Sequence, residues 1–115
     1  MMIKDANVTI MINDMERSIS FYQSLGLVLK NRWNNHYAQL TAPGIVIGLH
    51  PTDESRPTST SGNVSIGFTT DNFEEALSHL QELNIAVTTR SEEGGQFIHF
   101  KDPDGTELYF IKSKS

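Results

Sequence analysis

The residues best able to do chemistry are four histidines, His36, His50, His79 and His99, and a carboxylate near the end of the chain, Glu107. Imidazole moves protons near neutral pH and ligates metals, so each histidine is weighed by its setting. His50 ends the apolar run Ile45-Val46-Ile47-Gly48-Leu49-His50, and His99 sits in Gln96-Phe97-Ile98-His99-Phe100. Each is either a cleft group or a locally hydrogen-bonded side chain. His36 lies in or beside a loop and His79 falls outside the apolar stripe of a helix, so both are read as surface residues. Glu107 follows a turn and is either a general base, a partner for a cationic group, or a solvated strand-end carboxylate. Ser65 and His99 lack the strand-turn-helix context of a nucleophile elbow, so no triad is assigned. Trp33, Tyr37 and Phe97 are better suited to recognition, because an aromatic with an exposed face binds other rings. Trp33 lies in the polar run Asn31-Arg32-Trp33-Asn34-Asn35, which is read as a loop that no helix or strand pattern explains.

Composition narrows the chemistry further. The 115 residues include no cysteine, which removes disulfides, thiolate metal sites and cysteine nucleophiles. Nine Lys and Arg against fourteen Asp and Glu give a formal charge of −5. The cations are scattered, so no nucleic-acid partner is expected. The charge is compatible with a cationic ligand without locating negative charge at a site. No apolar run approaches the ~20 residues of a membrane span, and Met1-Met2-Ile3-Lys4-Asp5 lacks the apolar core of a signal peptide, so a cytoplasmic location is expected. Glu93-Gly94-Gly95 precedes a strand rather than a helix, so no phosphate cradle is present and no cofactor is predicted.

The elements that must carry these residues are legible from periodicity. Val8, Ile10 and Ile12 alternate with Asn7, Thr9 and Met11 as a half-buried strand requires. The period then changes: Asn13-Asp14 can cap a helix carrying Met15, Ile19 and Tyr22, with Gly26 as its stop. The second half repeats the plan with Val64, Ile66 and Phe68, then Asp71-Asn72 before Phe73, Ala76, Leu77, Leu80 and Leu83. Position 14 maps onto 72 and 19 onto 77, a constant offset of 58 that marks a duplication. Three strand segments follow each helix, near 27–32, 36–41 and 45–50, then near 85–90, 96–101 and 106–112. Turns at Thr41-Ala42-Pro43-Gly44 and Asp102-Pro103-Asp104-Gly105 join the last two strands of each half. The predicted class is α+β: one domain over 1–115, with a first module near 1–50, a Ser/Thr/Pro-rich linker near 51–62 and a second module near 63–115.

Two segments carry a family resemblance. Asn13-Asp14-Met15-Glu16-Arg17-Ser18-Ile19-Ser20-Phe21-Tyr22 through Leu25-Gly26-Leu27, and Lys101-Asp102-Pro103-Asp104-Gly105-Thr106-Glu107-Leu108, resemble the opening and closing motifs of vicinal-oxygen-chelate proteins. This superfamily includes glyoxalases, bleomycin-resistance proteins and extradiol dioxygenases. The resemblance implies two βαβββ modules curving around a shared cleft. It also implies that enzymes of the family hold a divalent metal with side chains from the first and last strand of each module. Those positions fall here on Asn7, Gly48, Ser65 and Tyr109, none of them His or a carboxylate.

The resemblance therefore implies a metal-free binding protein similar to the bleomycin-resistance members, sequestering an aromatic or amphipathic small molecule. Trp33, Tyr37 and Phe97 are predicted as apolar surfaces, and Gln39, His50, His99 and Tyr109 as orienting groups. Asn7, Gly48, Ser65 and Glu107 complete the candidate ligand-binding set, and no catalytic residue is assigned. The rival is a metal-dependent lyase or dioxygenase using His50, His99 and Glu107 as substitute ligands. A third class is an interaction or regulatory domain with no small ligand. A homodimer is expected.

Overall fold

The computed structural model describes residues 2–52, 64–92 and 95–113. The chain divides into two compact units, Met1–Ser59 and Thr60–Ser115, each with its own sheet and helix. The stretch 53–63, most of the predicted linker, lies outside the described residues; Pro51, at the linker's predicted start, instead closes a strand.

In the first unit β1 (Val8–Ile12) leads into α1 (Met15–Ser24), then β2 (Val28–Trp33), β3 (Tyr37–Ala42) and β4 (Ile45–Pro51). The strand order is β1-β4-β3-β2, with β1 parallel to β4 and the other pairs antiparallel. Asp14 caps α1, its carboxylate accepting the Arg17 amide at 3.1 Å. The helix stops at Gly26, whose φ of +110° suits a residue without Cβ, while the Leu27 amide reaches back to the Tyr22 carbonyl at 3.1 Å. Met15, Ser18, Ile19 and Tyr22 form its buried stripe. Beneath it Ala38, Leu40, Ile47 and Leu49 are each 0% exposed, so this face of β3 and β4 is core.

The second unit repeats this order with β5 (Ser65–Thr69), α2 (Phe73–Glu82), β6 (Thr88–Glu92), β7 (Gly95–Lys101) and β8 (Glu107–Ser113), arranged β5-β8-β7-β6. Register supports the duplication residue by residue. Val8 pairs with Ile47 and Ile66 with Leu108, so the first strands are offset by 58 and the last by 61, as the motifs require. Asn72 caps α2 through the Glu75 amide at 3.0 Å. Asn84, at φ +60°, takes the role of Gly26, because Asn tolerates the left-handed region. Leu83, predicted in the apolar stripe, is 37% exposed because the chain leaves the helix there. Ile66, Ile98, Phe100 and Leu108 are buried on the helix side. Phe68 and Phe100 flank Phe110 with centroids 5.7 and 5.8 Å away. β6 starts three residues later than predicted, at Thr88 rather than 85.

The Asp-Pro-Asp-Gly motif is a structural device. Asp102 is 5% exposed, and its Oδ1 accepts the Asp104 amide at 2.9 Å and the Thr106 amide at 2.8 Å, while Gly105 sits at φ +90°. These bonds fix the turn from which β8 starts.

Candidate functional site

Because the helix covers one face of each sheet, the alternate strand positions project from the opposite, helix-free face. Cross-strand pairing then decides which predicted site residues become neighbours.

On the first sheet the helix-free face brings together all six predicted residues of its unit. Thr9 pairs with Gly48, Gly48 with Gln39, and Gln39 with Asn31, forming one row. In the next row Trp33 pairs with Tyr37, their rings 5.7 Å apart and tilted by 31°, and Tyr37 lies 6.5 Å from the His50 ring. Gly48 is not in a left-handed conformation, so its lack of a side chain has a steric reason. A Cβ there would collide with the Tyr37 hydroxyl and come within 2.9 Å of Thr9 Oγ1. The Tyr37 ring therefore fills the volume a side chain at 48 would take. Its hydroxyl meets Thr9 Oγ1 at 3.3 Å and accepts from Asn7 Nδ2 at 3.5 Å. Asn31 donates to Gln39 Oε1 at 3.3 Å. This face is a set of aromatic rings edged by amides and hydroxyls.

Trp33 corrects the sequence reading, because it is the last residue of β2 and not part of a loop. Polar residues are tolerated there because β2 is an edge strand whose helix-side residue, Arg32, is satisfied elsewhere. The Arg32 guanidinium donates to Glu16 and to the Asn35 side chain, both at 2.6 Å, and to the Asn34 carbonyl at 2.8 Å. The ion pair joins α1 to the hairpin that carries Trp33, which is 51% exposed. Sequence reasoning missed this clamp, since nothing in local periodicity links positions 16 and 32.

On the second sheet Ser65 pairs with Glu107, Gly67 with Tyr109, and Tyr109 with His99. Phe97 and His99 stack 5.9 Å apart at 13°, and Tyr109 lies 5.7 Å from His99 and 6.1 Å from Phe97. A Cβ on Gly67 would collide with the Tyr109 ring, so here too a glycine leaves room for a tyrosine from the neighbouring strand. The sequence offered no signal for Gly67 as that seat. Tyr109 has no protein hydrogen bond among the described residues, and His99 Nε2 is excluded from solvent without a partner. Such a nitrogen costs about 1–3 kcal/mol unless something supplies a hydrogen bond.

The other candidates are engaged. His50 Nδ1 lies 2.8 Å from the Pro51 carbonyl, which can only accept, so that nitrogen carries the proton. Glu107 faces Lys101 at 3.5 Å, with its side chain 39% exposed, which matches the solvated strand-end alternative. His36 and His79 are exposed, as read from sequence. Among the described residues no three His, Asp or Glu side chains gather into a set that could hold a metal ion. No helix among them is long and apolar enough to cross a membrane.

Comparison with known proteins agrees with this topology. The fold matches an antibiotic-binding protein, TnmS3 from Streptomyces sp. CB03234, at TM-score 0.76 and 23% identity over 99% of each chain. It also matches a bleomycin resistance determinant encoded on the transposon Tn5, at TM-score 0.75 and 18% identity, covering 98% of this chain and 100% of that one. A lactoylglutathione lyase from Agrobacterium tumefaciens matches at TM-score 0.76 and 15% identity, covering 95% and 92%. At these identities the likeness establishes the fold alone. The family model described as Glyoxalase/Bleomycin resistance protein/Dioxygenase superfamily matches residues 6–110. With a match spanning nearly its whole length and a duplicated βαβββ topology, this chain belongs to the glyoxalase/bleomycin resistance protein/dioxygenase superfamily.

Proposed function

We propose that this protein is a metal-free member of its superfamily that sequesters an aromatic or amphipathic small molecule on the helix-free faces of its sheets. One observation carries the reading: where metal-binding relatives need imidazole and carboxylate, this chain packs tyrosine against glycine. Tyr37 fills the side-chain volume of Gly48, and Tyr109, itself at one of the four positions, fills that of Gly67. Asn7, Gly48, Ser65 and Tyr109 do not fit a divalent metal of the kind these enzymes use. What they offer instead is ring surface with uncharged hydrogen-bonding groups, the usual lining of an organic-ligand site. Same-fold proteins that bind antibiotics or confer bleomycin resistance support this reading.

The rival, a metal enzyme with substitute ligands, needs His50, His99 and Glu107. Among the described residues no three His, Asp or Glu side chains gather into such a set, which weighs against it. We further propose a cytoplasmic homodimer. A fluorescence and thermal-shift screen of aromatic compounds, bleomycin-type drugs included, tests the binding reading. A hit on the second sheet is expected to weaken in Tyr109→Ala, and one on the first sheet in Trp33→Ala. A hit that survives both substitutions unchanged puts the ligand elsewhere, and a screen with no hit favours the interaction-domain class.

A further inference from the structure

We infer that the bound small molecule is electrically neutral, a planar aromatic carrying hydrogen-bonding groups, even though the chain carries a net charge of −5. This rests on the binding reading above and names the ligand class for it. The inference comes from where the charges sit. On the helix-free face of the first sheet, the paired positions carry no Lys, Arg, Asp or Glu, and Lys30 falls at the register shift, unpaired with β3. On the second sheet that face does carry charge, but each cation has an anion beside it. Arg90 meets Glu92 at 3.0 Å and Lys101 meets Glu107 at 3.5 Å. Among the described residues neither face is left with a surplus of either sign.

Among the described residues, four acidic side chains with no Lys or Arg nearby in sequence lie on the helix side of the second unit. Asp71, Glu74, Glu75 and Glu82 are all exposed on or beside α2, and the stretch 70–85 contains no Lys or Arg. Acidic residues early in α2 are explained by the helix dipole and need no ligand. A charged ligand on either helix-free face would leave water without a counter-charge to meet it, and that desolvation is unfavourable. On the first sheet a neutral ring system would stack on Trp33 or Tyr37; on the second it would stack on Phe97, its polar groups answering the Tyr109 hydroxyl and the orphaned His99 Nε2.

The test uses three probes of matched shape at pH 8: 2-naphthol, 2-naphthoate and 2-naphthylmethylammonium. Binding is followed by thermal shift and, for a ligand on the first sheet, by quenching of Trp33, the single tryptophan. We expect 2-naphthol to bind at least about tenfold tighter than either charged probe. We also expect its Kd to change less than about twofold between about 20 and about 500 mM NaCl, since a neutral ligand feels no screening. Tyr109→Phe removes the hydroxyl and His99→Phe both ring nitrogens while each keeps a ring, and each is expected to weaken 2-naphthol bound on the second sheet about three- to tenfold. The charge and salt series needs no variant, so the inference stays testable if a variant fails to fold. Preference for a charged probe with salt-dependent affinity overturns the neutral-ligand inference and leaves the small-molecule reading standing. No saturable binding by any probe, with no hit in the wider screen, overturns both.

Discussion

The tyrosine-on-glycine packing can be tested by adding a single methyl group. In Gly67→Ala the new Cβ would meet the Tyr109 ring, with Cε2 and the hydroxyl oxygen both at 2.5 Å from it. Such contacts must be relieved, and overpacking of this kind costs about 1–3 kcal/mol. The low end applies, because the atoms that must move belong to a side chain and not to backbone. Against this, replacing glycine within a strand recovers about 0.5–1 kcal/mol of chain entropy. With that cost taken as about 1–2 kcal/mol, the net expectation runs from almost no change to a loss of about 1.5 kcal/mol. In a Tyr109→Ala background the collision is gone, so the same Gly67→Ala change should stabilise by about 0.5–1 kcal/mol. The double-mutant cycle should therefore give a coupling of about 1–2 kcal/mol between residues 67 and 109. Urea unfolding of the four proteins, with m unchanged, measures it. If Gly67→Ala stabilises equally in both backgrounds, Tyr109 does not occupy this seat and the reasoning fails.

Two further outcomes follow from the fold and a third from the dimer proposal. Gly26→Ala should cost more than about 1 kcal/mol although nothing lies within 4 Å of its Cβ, because φ is +110°; chemical denaturation of a variant as stable as wild type would contradict the cap assignment. Asp102→Ala strips the acceptor from two amides and should cost about 2–3 kcal/mol, seen as a lower urea midpoint; an unchanged midpoint would mean that the turn holds itself. Light scattering should return about twice the chain mass of 12.9 kDa at micromolar concentration, and a monomer mass would remove the dimer proposal.

Most of the fold was legible because each half states its period plainly. Val8-x-Ile10-x-Ile12 and Val64-x-Ile66-x-Phe68 mark strands, and the caps at Asp14 and Asn72 mark helix starts. Trp33 was misread because an edge strand gains its order from pairing and from the Arg32 clamp, neither of which leaves a local hydrophobic pattern. Tyr37, Gln39 and His99 lie on the helix-free face because their cross-strand partners alternate with the buried core positions. Alternation could not reveal that Tyr109 lies against Gly67, since the direction a ring leans depends on which neighbour lacks a side chain. Nor could it say that Glu107 answers Lys101, or that His99 has a nitrogen without a partner, because both depend on distances across a sheet. The net charge was legible at once, but the pairing of Arg90 with Glu92 and of Lys101 with Glu107 depends on the fold of the second sheet.

The most direct test of the central claim, ligand binding without a metal, is one titration on one sample. Purified protein is dialysed against a chelator, its metal content is measured by elemental analysis, and 2-naphthol binding is followed by thermal shift and, for the first sheet, by Trp33 quenching before and after adding Zn, Ni, Mn or Fe. The account expects no stoichiometric metal before dialysis and the same Kd in every condition. Close to one metal ion per chain before dialysis, with binding lost to the chelator and restored by one of these ions, would contradict it.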